Sequence, residues 1–251
     1  MNRFLQLTLA SLALAAFGSS AFAQATIDQN KAMAGNVTPG DTAGFPVTIS
    51  QPGHYKLTSN LYVPAASQGI VITADNVTLD LNGFGIIGPV NCSFDKQSFY
   101  VNCQGWTSGA IDLSAVISEQ VAVVVRNGFA KGFDGVTINL KGSNSVVDRV
   151  HTSHGLKSGI RLLWGGQVVD SSAELFSTAG IMVFRSGIVT GSRAARIGGE
   201  GFIAPLVVGS SVESTRKEAF EGSVRSSHAM ACKGGFGGNK LSDNVDQCAV
   251  F

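Results

Sequence analysis

The densest set of chemically able side chains lies in DRVHTSHGLKSGIR, Asp148 to Arg161. It offers Arg149, His151, His154, Lys157 and Arg161. Imidazole is a suitable base near neutral pH, and a guanidinium or ammonium group suits a carboxylate. Such groups could withdraw the proton beside a uronate carboxylate, the step a polysaccharide lyase or epimerase performs. His151, His154, Arg149 and Lys157 are the candidate catalytic residues. Arg161, Asp170, Arg185 and Arg193 are candidate ligand-binding residues, and with Arg196 the later arginines could extend a basic strip for an acidic glycan. The same segment also reads as an ordinary solvated turn carrying a few cations.

Glycoside hydrolysis would need two carboxylates facing one bond. Asp148, Asp170 and Glu174 are the candidates. Asp148 and Asp170 each follow a Val-Val pair, which predicts equivalent positions in neighbouring repeats, about 5 Å apart. Arg126 and Thr190 fall in the same column, so it also reads as mixed polar surface. The aromatics Phe94, Phe99, Tyr100 and Trp106 could stack on sugar rings or pack their own loop down.

Any such site needs a scaffold, and the chain repeats. Gly69-Ile70, Gly135-Val136, Gly159-Ile160, Gly180-Ile181 and Gly201-Phe202 look alike, the last four being 24, 21 and 21 residues apart. Val124-Val125, Val146-Val147, Val168-Val169, Ile188-Val189 and Val207-Val208 form a second column, spaced 22, 22, 20 and 19. Each period holds two or three short runs rich in Val and Ile, none with helical length or period. About 21 residues suffice for one triangular coil of three strands, with coils stacked in parallel about 4.8 Å apart. The expected fold is all-β: a single-stranded right-handed parallel β-helix. Ile70, Val136, Ile160, Ile181 and Phe202 should point inward, and Leu163, Met182, Phe184 and Ile203 should form an outer apolar patch, through which copies of the chain could associate.

Residues 1–23 read as a signal peptide: Arg3, an apolar Leu5–Phe17 stretch, then Ala21-Phe22-Ala23 before a cleavage site at Gln24. Residues 24–45 read as a loose N-terminal arm and 46–251 as the β-helix domain, with a loop insertion at about 88–109. The chain carries 18 Lys+Arg and 17 Asp+Glu; losing Arg3 leaves 17 against 17. Bulk charge therefore draws neither nucleic acid nor an anionic membrane. No membrane span is expected after signal removal. Export predicts an oxidising compartment, so the four cysteines are expected to pair. Of three connectivities, proximity favours Cys92–Cys103 in the loop and Cys232–Cys248 stapling the C-terminal end. The rival reading, a metal site, has wide spacings and no His between paired cysteines. No metal or cofactor is expected.

PVTISQPGHYKLTSNLYV followed by GIVITADNVTLDLNGFGIIG resembles exported bacterial right-handed β-helix repeat proteins of the pectin-lyase-like superfamily. The resemblance rests on Pro52, Gly53, Tyr55 and Leu57, then Ile72 and Ala74 to Gly83. It implies the fold and contact with polysaccharide along the flank of the coil. It does not imply one activity, because the superfamily spans lyases, hydrolases, epimerases, tailspikes and adhesins. The "DPH" signature of alginate epimerases, the neighbouring Asp residues of polygalacturonases and the stacked Asp calcium site of pectate lyases are absent. The expectation is a secreted or periplasmic, non-catalytic protein that binds carbohydrate or serves the cell envelope or adhesion. The alternative is a polysaccharide lyase or related enzyme acting on an acidic glycan.

Overall fold

The computed structural model describes residues 24–105, 113–232, 234–237, 239–242 and 244–248. The segment 1–23, expected as a signal peptide, and Trp106 lie outside the described residues. The chain winds into a right-handed parallel β-helix of about 8 coils. Each coil has three faces. Face 1 stacks Val47–Ile49, Ile70–Ile72, Val116–Ser118, Ile138–Leu140, Ser158–Leu162 and Ala179–Val183. Face 2 stacks Gly53–Leu57, Val77–Asp80, the start of Val124–Phe133, the start of Ser145–Gly155, Gly166–Val169 and Gly187–Thr190. Face 3 stacks Gly85–Ile87, the ends of Val124–Phe133 and Ser145–Gly155, then Ser172–Phe176, Arg193–Ile197, Ser211–Thr215 and His228–Met230.

Strand alternation sends one apolar ladder inward from each face. Ile70, Val116, Ile138, Ile160, Ile181 and Phe202 line face 1, and Leu79, Val125, Val147, Val168, Val189 and Val207 line face 2; all are buried. Face 3 contributes the smaller Ala130, Ala173 and Ala194, because face 1 comes close there. A Cβ on Gly180 would stand 2.8 Å from the Ala194 Cβ and 2.6 Å from the Gly201 carbonyl oxygen. That narrow interior is the reason for the repeated Gly-Ile pairs.

One rung departs from the expected register. Ile138, not Val136, pairs with Ile160, and Val116 lies between Ile138 and Ile70. Thr137 fills the place glycine takes in later coils, and its buried Oγ1 has no hydrogen-bond partner. The second column also shifts: Val147, not Val146, faces Val168.

Corners form where one residue enters the left-handed region. Between faces 2 and 3 these are Asn82, Asn127, Arg149 and Asp170, with φ of 52°, 58°, 51° and 45°. Asn82-Gly83 is thus a corner within one coil. Between faces 3 and 1 they are His154, Leu175, Arg196 and Ser214, with φ of 55°, 60°, 54° and 58°. A side chain held at such a corner is turned away from the strand's in-out alternation.

A buried polar ladder runs behind the corner of faces 2 and 3. The amide of Val150 donates to Ser171 Oγ at 3.1 Å, Ser171 to Ser192 Oγ at 3.2 Å, Ser192 to Ser210 Oγ at 3.2 Å and Ser210 to Ser227 Oγ at 3.2 Å. Each hydroxyl donates in turn to a carbonyl of its own coil, as Ser192 does to Thr190 at 3.0 Å. Corner amides that no strand can satisfy are thereby paired inside the core.

The segment expected as a loose arm is docked. Ala25–Ile27 pairs in parallel with Tyr55–Leu57, and a short helix, Gln29–Ala34, follows. Ile27 and Ala32 are buried, so this segment covers the open end of the stack. Cys92–Cys103 and Cys232–Cys248 are both formed. The first closes an antiparallel hairpin, Asn91–Asp95 with Tyr100–Gln104. The hairpin does not simply protrude: it packs on Ser145–Gly155, Ser172–Phe176 and Arg193–Ile197 of face 3. Leu175, turned outward at its corner, is buried beneath it with Val90, Cys92 and Val101. No helix among the described residues is long and apolar enough to cross a membrane.

Candidate functional site

The corners distribute the candidate residues around the coil. Arg149 stands at the corner of faces 2 and 3, held by Asp148 at 2.7 Å and by Asn127 Oδ1 at 3.0 Å. His151 projects from face 3, its Nδ1 2.7 Å from Ser172 Oγ. His154 sits at the next corner, and Lys157 on the turn leading to face 1. Arg161 lies on face 1 and donates to Asn139 Oδ1 at 3.1 Å. Asp170 shares the corner column of Arg149, and Arg185 occupies the corner of faces 1 and 2. The structure brings His151 and Arg193 into one outward column on face 3, with Ser172 between them. It spreads Arg149, His151, His154 and Lys157 over a corner, a face, a second corner and a turn.

The two carboxylates are also not equivalent. Asp148 faces Val169 across the ladder, so Asp170 lies one residue beyond, at the corner. The single-residue shift in the Val-Val column causes this, and the expected side-by-side pair is corrected accordingly.

Charge on face 3 is largely compensated from neighbouring coils. Arg193 pairs with Glu213 and Arg196 with Glu174. An acidic glycan approaching this strip would compete with carboxylates already in place. Desolvation by burial lowers the pKa of His151. Burial, then the charges of Lys131, His151 and Arg196, lower that of His154. Both imidazoles are thus biased toward neutrality. A groove of about 510 Å3 separates the hairpin from face 3, between Phe94, Lys96 and Phe99 on one side and Arg193, Arg196 and Glu213 on the other. Phe94 and Phe99 meet edge to face, 5.8 Å apart, and Phe94 packs on the Leu175 cluster. Arg216 covers the Tyr100 ring at 3.9 Å. Phe94 is thus engaged with the coil, while Tyr100 stays 47% exposed beside Arg216.

Face 1 and its corner with face 2 carry no such hairpin among the described residues. The expected apolar patch is there: Met182 faces Ile203 on the outside of face 1, and Leu163 and Phe184 follow along the edge. Beside it stands Trp164, 53% exposed. Arg185, from the following coil, covers the indole at 4.4 Å. Residues of the two preceding coils complete a depression of about 560 Å3 beside Trp164, with Glu119, Val121, Lys141 and Ser143 around it and Gly142 in its floor. Lys141 and Glu119 pair at 2.7 Å on the rim. A Cβ on Gly142 would meet the Gln120 carbonyl at 1.8 Å, so glycine lets the two coils approach closely there.

Sequence reasoning missed Trp164 because it ends the apolar run IRLLW and reads as strand core. The usable signal was the Gly165-Gly166 pair just after it, which places Trp164 at a corner, where side chains leave the alternation. A planar apolar surface ringed by a carboxylate, an ammonium group and a hydroxyl can stack a sugar ring and hydrogen-bond its hydroxyls. Comparison with protein-family models, with curated proteins and with solved structures found no match.

Proposed function

We propose that this chain is an exported, non-catalytic β-helix of the pectin-lyase-like kind that binds carbohydrate along face 1 and its corner with face 2. The observation that carries the reading is Trp164, a large exposed indole walling a depression whose rim is polar. An isolated exposed aliphatic residue needs no explanation, but an exposed indole beside convergent polar groups is a typical ligand platform. The dispersal of Arg149, His151, His154 and Lys157, together with the paired state of Arg193 and Arg196, weighs against the lyase alternative. The two disulfides fit an oxidising compartment outside the cytoplasm. A secreted or periplasmic location agrees with the signal-like start.

The test is a glycan array followed by calorimetric titration of the mature chain. Binding without turnover is expected, and Trp164→Ala should weaken it at least about tenfold. Binding that ignores Trp164→Ala would overturn the site. Release of ultraviolet-absorbing unsaturated uronate, lost in His151→Ala, would replace this reading with the lyase.

A further inference from the structure

A second depression adjoins the Trp164 shelf and differs from it in chemistry. It lies on the outside of face 1 near the N-terminal end and encloses about 550 Å3. Phe45, Pro46, Val71, Leu113 and Ile117 supply its apolar surface. Val71 and Ile117 are Cα partners on adjacent strands, so their side chains form a continuous apolar strip. The two depressions meet at Glu119, which lines both. Gln68 lines the apolar one, and its buried Oε1 has no hydrogen-bond partner.

We propose that the occupant of the joined depressions is an acylated saccharide. Its sugar stacks on Trp164 between Glu119, Lys141 and Ser143. Its hydrocarbon chain lies over Val71 and Ile117. The continuity through Glu119 argues for one amphiphilic molecule. A purely polar glycan would leave the Val71–Ile117 strip wet, and a simple fatty chain would leave the polar rim unused. This inference rests on the carbohydrate reading above and adds the apolar substituent to it.

The experiment titrates the mature chain with methyl, butyl and hexyl glycosides of glucose, galactose, mannose and N-acetylglucosamine, and with hexanol. For the sugar that binds, affinity should rise about fourfold per added methylene until the depression is filled. Ile117→Thr and, separately, Val71→Thr keep β-branched strand residues and should flatten that rise without changing the methyl glycoside. Trp164→Ala should weaken methyl and hexyl glycosides by the same factor. If methyl and hexyl glycosides bind alike, the acyl inference falls and the carbohydrate reading stands. If hexanol binds as tightly as any glycoside and no methyl glycoside binds, the carbohydrate reading falls and this one with it. Absence of binding by every probe overturns both, and a dimer in sedimentation that Ile117→Thr dissociates would overturn the acyl inference alone.

Discussion

The flank under the disulfide hairpin and the flank bearing Trp164 are built on the same coils and differ in what is left unsatisfied. On face 3, arginines meet carboxylates from neighbouring coils and the outward Leu175 is sealed beneath Val90, Cys92 and Val101. On face 1 and its corner with face 2, Trp164 stands 53% exposed and apolar residues line an open depression. The hairpin flank is sealed at Leu175 and charge-paired around its groove, whereas the bare flank leaves its indole and apolar residues uncovered. A cluster of chemically able residues in sequence marked the first; the surface free to meet a ligand is the second.

That contrast can be broken in graded steps. Cys92→Ser with Cys103→Ser should cost the largest share of stability, about 3 kcal/mol in denaturant unfolding, while leaving glycan affinity at Trp164 unchanged. A parallel loss of binding would show that the flanks are coupled. Ser192→Ala should come next, at about 1–3 kcal/mol, because it strips the Ser171 amide of a buried acceptor. Since that ladder supports both flanks, its loss should lower stability without choosing between them.

Between the ordinary imidazole and carboxylate values, acid should act on the hairpin flank through its two imidazoles. The folded-state pKa values of His151 and His154 lie below the ordinary imidazole value, so the unfolded chain binds protons more readily. Their contribution is present above the unfolded value and is lost as pH falls through the folded one. Unfolding midpoints should therefore drop below about pH 6.5, and His154→Gln should reduce the dependence. A midpoint that is flat with pH would separate these imidazoles from stability. The smallest effects are expected for Arg193→Ala and Trp164→Ala, each within about 0.5–1 kcal/mol in thermal or chemical unfolding. For Trp164 the pairing of a small stability change with a large binding loss is the decisive signature.

The architecture was legible because coil geometry imposes itself on sequence. The narrow interior favours glycine just before the face 1 ladder residue, as Gly69, Gly159, Gly180 and Gly201 show, and the apolar ladders place β-branched residues at recurring offsets. Where another residue tolerates the same slot the pattern misleads. Thr137 sits in that slot, and the Gly135-Val136 pair two residues earlier mimics the signal. The repeat also fades after Gly201, because Glu200–Val208 runs from face 1 to face 2 as one strand and shortens the coil. The serine ladder escaped notice because 21 residues separate Ser171 from Ser192 but only 18 separate Ser192 from Ser210. The site was less legible for a different reason. A position on a corner decides whether a side chain faces ligand or neighbour, and one residue of register moved Asp170 off the Asp148 column. Composition marks which groups can do chemistry; only the corner φ values show where they point.

Each rung of the serine ladder accepts from the coil before it and donates within its own coil. The ladder is thus indifferent to how many rungs it has. Excising 151–171 as a block would bring the Val150 amide to Arg193's strand with Ser192 Oγ in the place of Ser171 Oγ, and every corner amide would still find an acceptor. The stack can therefore lose or gain a whole coil without orphaning a corner amide, as a ruler is cut at its marks.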